Sequence, residues 1–329
     1  MTTVPRIQTT AGRLARLGFA DGAGAERLLD GLGPEAAGDV GLLESLVATA
    51  DPDLALASLS RLAERDPGVL GALRRDPALR TRLLGVLGVS AALGDHVARH
   101  PDHRRLLEGE RATARPTGEE LRAELLLAVG ADPGDPEPRA ADASTAILSA
   151  LRVAYRGRLL HLAARDVTGE AALAEVTAEL SALAGAALEA GLAVARSEQP
   201  ESGAVRLAVI GMGKCGAREL NYISDVDVIF VAEPRRTGGG IASGDAVGEA
   251  ASGTGAGNGA VDDTRAVQIA TRLAQGMMRA CSATTPEGRC GRSTRRSVPR
   301  ARPGRWCGPS PATRPTTGAG PRRGSSRRC

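Results

Sequence analysis

Residues 206–230 read RLAVIGMGKCGARELNYISDVDVIF. An apolar strand runs into a glycine-rich turn, a short polar link follows, and a second strand is expected to open with Asp225 and Asp227. Side chains alternate faces along a strand, so residues two apart point the same way. On that reading Asp225 and Asp227 aim together at one point, while Val226, Val228 and Phe230 dominate the other face. Two adjacent acids in an apolar strand repel each other and are costly to bury unpaired. A divalent cation removes that cost, and Mg²⁺ held by one or two carboxylates plus substrate phosphates is a common arrangement. The pattern is that of a phosphoryl- or nucleotidyl-transfer site, with Asp225 and Asp227 as metal ligands.

The glycine turn admits more than one reading. Gly211, Gly213 and Gly216 form G-x-G-x-x-G directly after a strand, with Glu233 twenty residues past Gly213, as in a dinucleotide-binding fingerprint. Only about eight residues separate Gly216 from the next strand, which is short for the helix of a parallel crossover. A P-loop fails because Lys214 is followed by Cys215 rather than Ser or Thr. The spacing fits best a polymerase-β-type nucleotidyltransferase, in which a strand and glycine turn hold the nucleotide phosphates and a D-x-D pair follows. Gly211 and Gly213 then let the backbone approach phosphate without a Cβ in the way. Lys214, the single lysine beside 41 arginines, offers a point charge to phosphate. Ser224 is placed to cap the turn or orient Asp225.

Upstream, residues 11–107 read as a run of short helices. Asp51-Pro52, Asp66-Pro67 and Asp76-Pro77 each pair an N-cap acid with a proline in the first turn. Thr117 and Glu120 form a capping box for a helix through about Val129, and a Pro/Gly/Asp-rich link occupies 131–142. Longer helical patterns cover about 143–166 and 169–197, the second with Leu173, Val176, Leu180, Leu183, Ala187 and Leu188 on one side. A last helix over about 264–281 turns Val267, Ile269, Leu273, Met277 and Met278 largely inward. The expected fold is α-rich α+β. It comprises a helical bundle over 1–115, then over 116–288 further helices and an incomplete nucleotidyltransferase core.

Two segments stand apart. Residues 237–260 hold nine glycines in 24 positions and read as a flexible insertion. Residues 289–329 contain twelve arginines and no Asp, Glu, Leu, Ile, Met, Phe or Tyr, a composition expected to stay disordered. The formal charge of +4 is a property of that tail, because residues 1–288 carry 30 basic against 38 acidic side chains. An acidic body gives no electrostatic reason to expect a nucleic-acid partner. Neither a signal-peptide pattern nor an uncharged window of transmembrane length is found, so a cytoplasmic, membrane-free protein is expected. The five cysteines form no C-x-x-C pair, no His/Cys cluster suggests zinc, and the thiols are read as free and reduced. His96, His100, His103 and His161 lie in helical stretches without a carboxylate or cysteine at ligand spacing, which points to surface or packing roles rather than catalysis.

The stretch GMGKCGARELNYISDVDVIF resembles the signature of the glutamine synthetase adenylyltransferase/deadenylylase family, G-x-G-K-x-G-x-x-E-L-N-Y-x-S-D-x-D. GVSAALGDHVARHP (88–101) and LLHLAARDVTGEAALAEVTAELSALA (159–184) are similar to the same family, and the resemblance covers about residues 10–288. It is to the N-terminal half of these bifunctional enzymes, which implies phosphorolytic removal of AMP from a tyrosine of glutamine synthetase, with release of ADP. Implied with it are Mg²⁺ at Asp225 and Asp227, nucleotide or phosphate at Gly211, Gly213, Lys214 and Ser224, and glutamine synthetase, ATP/ADP, phosphate and a PII-type signalling protein as partners. Arg165 and Asp166 match as well, and an interhelical ion pair suits them as much as a site role. Glu219 and Asn221 are expected to hold the link between the strands.

The chain departs from the family after TTPEG. Members continue into R-V-D-x-x-L-R-P, which supplies a third carboxylate, whereas here RCGRSTRRSVPRARPGRWCGPS follows. The Arg/Gly/Pro/Ser/Cys composition is what a high-GC coding sequence gives when read out of frame, and a frameshift near codon 288 is the expectation drawn from it. Loss of the third acid implies little or no activity for this chain alone. A non-catalytic helical module that binds glutamine synthetase or its signalling partner is the alternative.

Overall fold

Asp and Ser side chains start five of the first eight helices. In the computed structural model, which describes residues 10–235 and 263–288, the helices of the first half are short. The elements are α1 (Thr10–Leu17), α2 (Gly22–Gly31), α3 (Pro34–Ala37), α4 (Val40–Val47), α5 (Pro52–Arg65), α6 (Val69–Arg75), α7 (Pro77–Leu87) and α8 (Ala91–Arg99). A 3₁₀ segment, Pro101–Leu107, follows. Asp21, Asp39, Asp51, Asp76 and Ser90 accept the orphan N–H groups of α2, α4, α5, α7 and α8. Asp66 departs from expectation. It closes the C-terminus of α5, accepts from Gly68 N–H, and pairs with Arg104, while α6 starts three residues later at Val69.

The second half is built on longer helices. These are α9 (Gly118–Ala128), opened by the expected Thr117–Glu120 capping box, α10 (Thr145–Val167) and α11 (Leu173–Ser197). Then come β1 (Val205–Gly211), the single turn α12 (Gly213–Gly216), β2 (Val228–Pro234) and α13 (Asp263–Ser282). Among the described residues the protein is mostly helical with one two-stranded sheet. The glycine-rich insertion at 237–260 and the arginine-rich tail at 289–329 lie outside the described residues.

One apolar core joins α1–α8 and takes Leu160, Ala163 and Ala164 from α10. A second gathers α9, α10, α11 and Ala280 of α13. A third packs Ile269, Leu273 and Met277 of α13 and Leu192 of α11 beneath Leu207, Val209 and Phe230 of the sheet. Leu173 does not join them: as the first residue of α11 it is 77 % exposed. Val267 also faces outward, one turn into α13. By length and composition α11 could cross a membrane, yet 72 % of that apolar stretch is buried inside the protein, as in an ordinary core helix.

Two buried arginines fix the helices to one another. Arg165 on α10 makes a 2.6 Å pair with Glu179 on α11, with side chains only 2 % and 3 % exposed. Arg152, fully buried on α10, donates to the carbonyls of Ala280 and Ala283 at the end of α13 (2.5 and 2.9 Å) and to Leu148 O (2.8 Å). The free carbonyls at a helix C-terminus carry partial negative charge, so a cation there satisfies both hydrogen bonding and the dipole.

Candidate functional site

β1 and β2 pair antiparallel, with register Val205↔Pro234 through Gly211↔Val228. The dinucleotide-binding reading of Gly211, Gly213 and Gly216 fails here, since that fingerprint requires a parallel crossover. Asp225 and Asp227 do not open the strand as expected. β2 begins at Val228, and the pair lies in the segment leading to it. The physical reason is that β1 ends at Gly211 and turns into α12, leaving residues 224–227 no strand to pair with. One bond continues the ladder, Met212 N–H to Asp227 O at 2.8 Å. The alternation argument therefore does not govern these carboxylates. Asp225 is half-buried and Asp227 is exposed.

Asp227 nevertheless reaches the glycine turn. A Cβ placed on Gly213 would sit 3.7 Å from Asp227 Oδ2. Gly213 has φ +51°, a left-handed conformation that favours glycine. The tightest approach is at Gly216, where a Cβ would lie 2.4 Å from the Gly211 carbonyl oxygen. Gly216 keeps α12 against the end of β1, a role signalled in sequence only by the G-x-G-x-x-G spacing. Gly211 itself is less constrained, with Cys215 Sγ 3.4 Å from the position of its missing Cβ. Lys214 is exposed on α12, and Cys215 is a half-buried free thiol whose pKa burial pushes up. Alongside the turn, an open cleft of about 530 Å³ runs between α11 and β1, lined by Leu188, Leu192, Leu207, Val209, Gly211 and Cys215. Its size is in the range of small-molecule sites.

The link from α12 to β2 is anchored at four points. Glu219 N–H donates to Lys214 O at 2.7 Å, and Ser224 N–H closes a turn on Asn221 O at 3.3 Å. Leu220 is buried among Leu162, Val176, Leu180 and Ala184, with its N–H on Ser181 Oγ at 3.3 Å. Tyr222 Oη donates to Asp166 Oδ2 at 2.9 Å. Burial and the facing Asp166 raise the Tyr222 pKa, keeping the phenol a donor. Sequence reasoning passed over Leu220 and Tyr222. Their signal was an apolar and an aromatic residue alternating inside a polar link. The adjacent pair Arg165–Asp166 divides its labour, Arg165 to the interhelical ion pair and Asp166 to the link.

The histidines need a partial correction. His161 has the expected packing role, with Nε2 2.9 Å from Arg111 O. His96, His100 and His103 instead converge, and the turn after α13 brings Glu287 to within 3.0 Å of His100. A carboxylate 187 residues away was invisible to any local spacing rule.

Residues 80–307 match the family described as glutamate-ammonia ligase adenylyltransferase, well over half of the chain, and the match runs past Gly288, where the resemblance was expected to end. The bifunctional glutamine synthetase adenylyltransferase/adenylyl-removing enzyme of Streptomyces avermitilis is 48% identical over 298 residues, covering 88% of this chain and 26% of the relative. Its counterpart from Streptomyces coelicolor is 46% identical over 295 residues (87% and 26%), and that of Cutibacterium acnes 36% over 282 residues (84% and 26%). The chain spans about a quarter of the length of these relatives. With the strand, glycine turn and acidic link on the same residues that the match covers, the chain belongs to the glutamate-ammonia ligase adenylyltransferase family.

Proposed function

We propose that this chain carries the AMP-removing half-site of such an enzyme, within an incomplete polymerase-β-type nucleotidyltransferase core. The observation that carries the reading is the placement of the Asp227 carboxylate against Gly213, beside a cleft wide enough for a nucleotide. Asp225 and Asp227 offer the hard oxygen donors that Mg²⁺ takes, and the absence of any Cβ at Gly213 leaves the backbone open to a phosphate. When bound, Mg²⁺ would offset charge on the phosphoryl oxygens. Lys214, exposed on α12, offers a further positive charge to phosphate, and the Ser224 turn sets the approach to Asp225. In the reaction a phosphate oxygen bonds to the phosphorus of tyrosyl-AMP, the bond from phosphorus to the tyrosine oxygen breaks, and the phenolate takes up a proton. The products are ADP and unmodified tyrosine on glutamine synthetase.

The test uses the full chain with adenylylated glutamine synthetase, phosphate and Mg²⁺, reading ADP release and nucleotide binding. Residues 289–329 bring no Asp or Glu as a third ligand, so we expect turnover far below that of a full-length relative. Mg²⁺-dependent nucleotide binding should persist and be lost on Asp225→Asn or Asp227→Asn. Binding indifferent to both substitutions would refute the reading.

A second reading is a non-catalytic module that docks on glutamine synthetase or a PII-type regulator. The preponderance of helix over a two-stranded sheet favours it. Retained binding of glutamine synthetase without Mg²⁺-dependent nucleotide binding would select it.

A further inference from the structure

We propose that His96, His100, His103 and Glu287 form a structural site for a transition-metal ion of the Zn²⁺ type. The chain has four histidines, and three of them meet at one place. Their ring centroids are 5.0, 4.9 and 5.8 Å apart. Imidazoles sharing one tetrahedral ion at about 2.0–2.1 Å per bond would have centroids roughly 5 Å apart. One donor atom each from His96, His100 and Glu287 already lies within 4.8 Å of the others. His96 Nε2 faces His103 Nδ1 at 2.9 Å, and His100 Nε2 faces Glu287 Oε2 at 3.0 Å. Donors on a tetrahedral zinc ion are roughly 3.3 Å apart, so the trio of His96, His100 and Glu287 must draw closer, and His103, outside that 4.8 Å trio, must swing its ring to join them.

The surroundings favour a metal over a purely polar cluster. His96 is fully buried, and the nitrogen it turns toward the other histidines is Nε2. Room for His103 is made on α10 by Gly157, where a Cβ would lie 2.7 Å from both Nδ1 and Cε1 of the ring. Glu287 sits on a tight turn closed by Thr285 and Gly288, with its N–H on Thr285 Oγ1 at 3.1 Å. Arg99 now contacts Glu287 at 2.6 Å, but it also donates to the carbonyls of Pro286 and Asp95. It therefore keeps partners when the carboxylate turns to a metal.

Three imidazoles and one carboxylate suit Zn²⁺, Co²⁺ or Ni²⁺ and not Ca²⁺ or Mg²⁺, which prefer all-oxygen shells. Four protein ligands leave no open position, as in structural zinc sites. The ion would clamp the end of α8 to the turn after α13, whose buried face supports β1 and β2. This site is separate from Asp225 and Asp227 and does not depend on their role.

The experiment takes the untagged full chain, stripped with EDTA, and titrates it with Zn²⁺ by calorimetry and with Co²⁺ by absorption. One equivalent should bind, with the tetrahedral cobalt d–d bands, and raise Tm by about 5 °C. His100→Ala and His103→Ala, checked for folding by circular dichroism, should weaken binding by at least about tenfold. Neither His100 nor Glu287 is fully buried, so His100→Ala and Glu287→Gln test the site without opening the core. His161→Gln should leave binding unchanged. The proposal is overturned by substoichiometric binding, by unaltered affinity in the His100 and His103 variants, or by thiolate-to-cobalt charge transfer, which would place the ion on cysteine.

Discussion

The hydroxyl of Tyr222, in the link that carries both candidate carboxylates, donates to Asp166 at the end of α10. It ties the segment leading to Asp225 and Asp227 to a helix that is itself locked to α11 through Arg165 and Glu179. Tyr222→Phe removes one hydrogen bond to a charged acceptor, at a site open to solvent on one side. The expected loss is about 1 kcal/mol of global stability. Amide exchange over 220–227 should accelerate while α5 and α7 stay protected, as hydrogen-exchange mass spectrometry would show. Unchanged exchange in the link would mean that Leu220 alone holds it.

The Arg165–Glu179 pair gives a sharper prediction. Removing one partner leaves an uncompensated buried charge, so Glu179→Gln should cost about 3–5 kcal/mol. Replacing both, as in Arg165→Met with Glu179→Leu, should recover most of that loss, because an apolar pair fills similar space without desolvating charge. Urea midpoints for the single and double variants make the comparison.

His161 predicts an acid limit to stability. Burial, aided by Arg165 and Arg158, lowers its pKa to about 4 in the folded protein, and its Nδ1 is buried without a partner. The unfolded chain, titrating near the ordinary value of about 6.5, binds the proton more readily. Stability is therefore complete above about pH 6.5 and falls as pH drops toward 4, by about 2 kcal/mol at pH 5 from this group. His161→Gln should flatten that part of the curve of unfolding free energy against pH.

The glycines should separate by position. Gly216→Ala pushes a methyl group into the Gly211 carbonyl and should displace α12 from β1, lowering stability by several kcal/mol and abolishing nucleotide binding. Gly213→Ala makes only an ordinary contact with Asp227 Oδ2 but keeps a left-handed φ, at about 1–2 kcal/mol. Gly211→Ala should be the mildest. Thermal melts of the three proteins, with nucleotide binding measured alongside, would rank them.

Much of this arrangement was legible in the residues. Asp51, Asp76, Thr117 and the periodic leucines announced helices that the structure contains, because caps and apolar spacing are local signals. Asp66 misled because an Asx turn to Gly68 and an ion pair to Arg104 compete with capping. Asp225 and Asp227 were expected to open the second strand, yet β2 begins only at Val228, since where it starts depends on where β1 turns away. Tyr222–Asp166 and the histidine–Glu287 cluster join residues far apart in the chain, a kind of contact that spacing alone does not encode.

Arg152 ties α10 to the terminus of α13 through a charge that does not titrate. Guanidinium keeps its proton across the whole range in which proteins stay folded. The grip on the Ala280 and Ala283 carbonyls is therefore indifferent to acidity. When other junctions of the protein weaken in acid, the last turn of α13 should stay moored to α10.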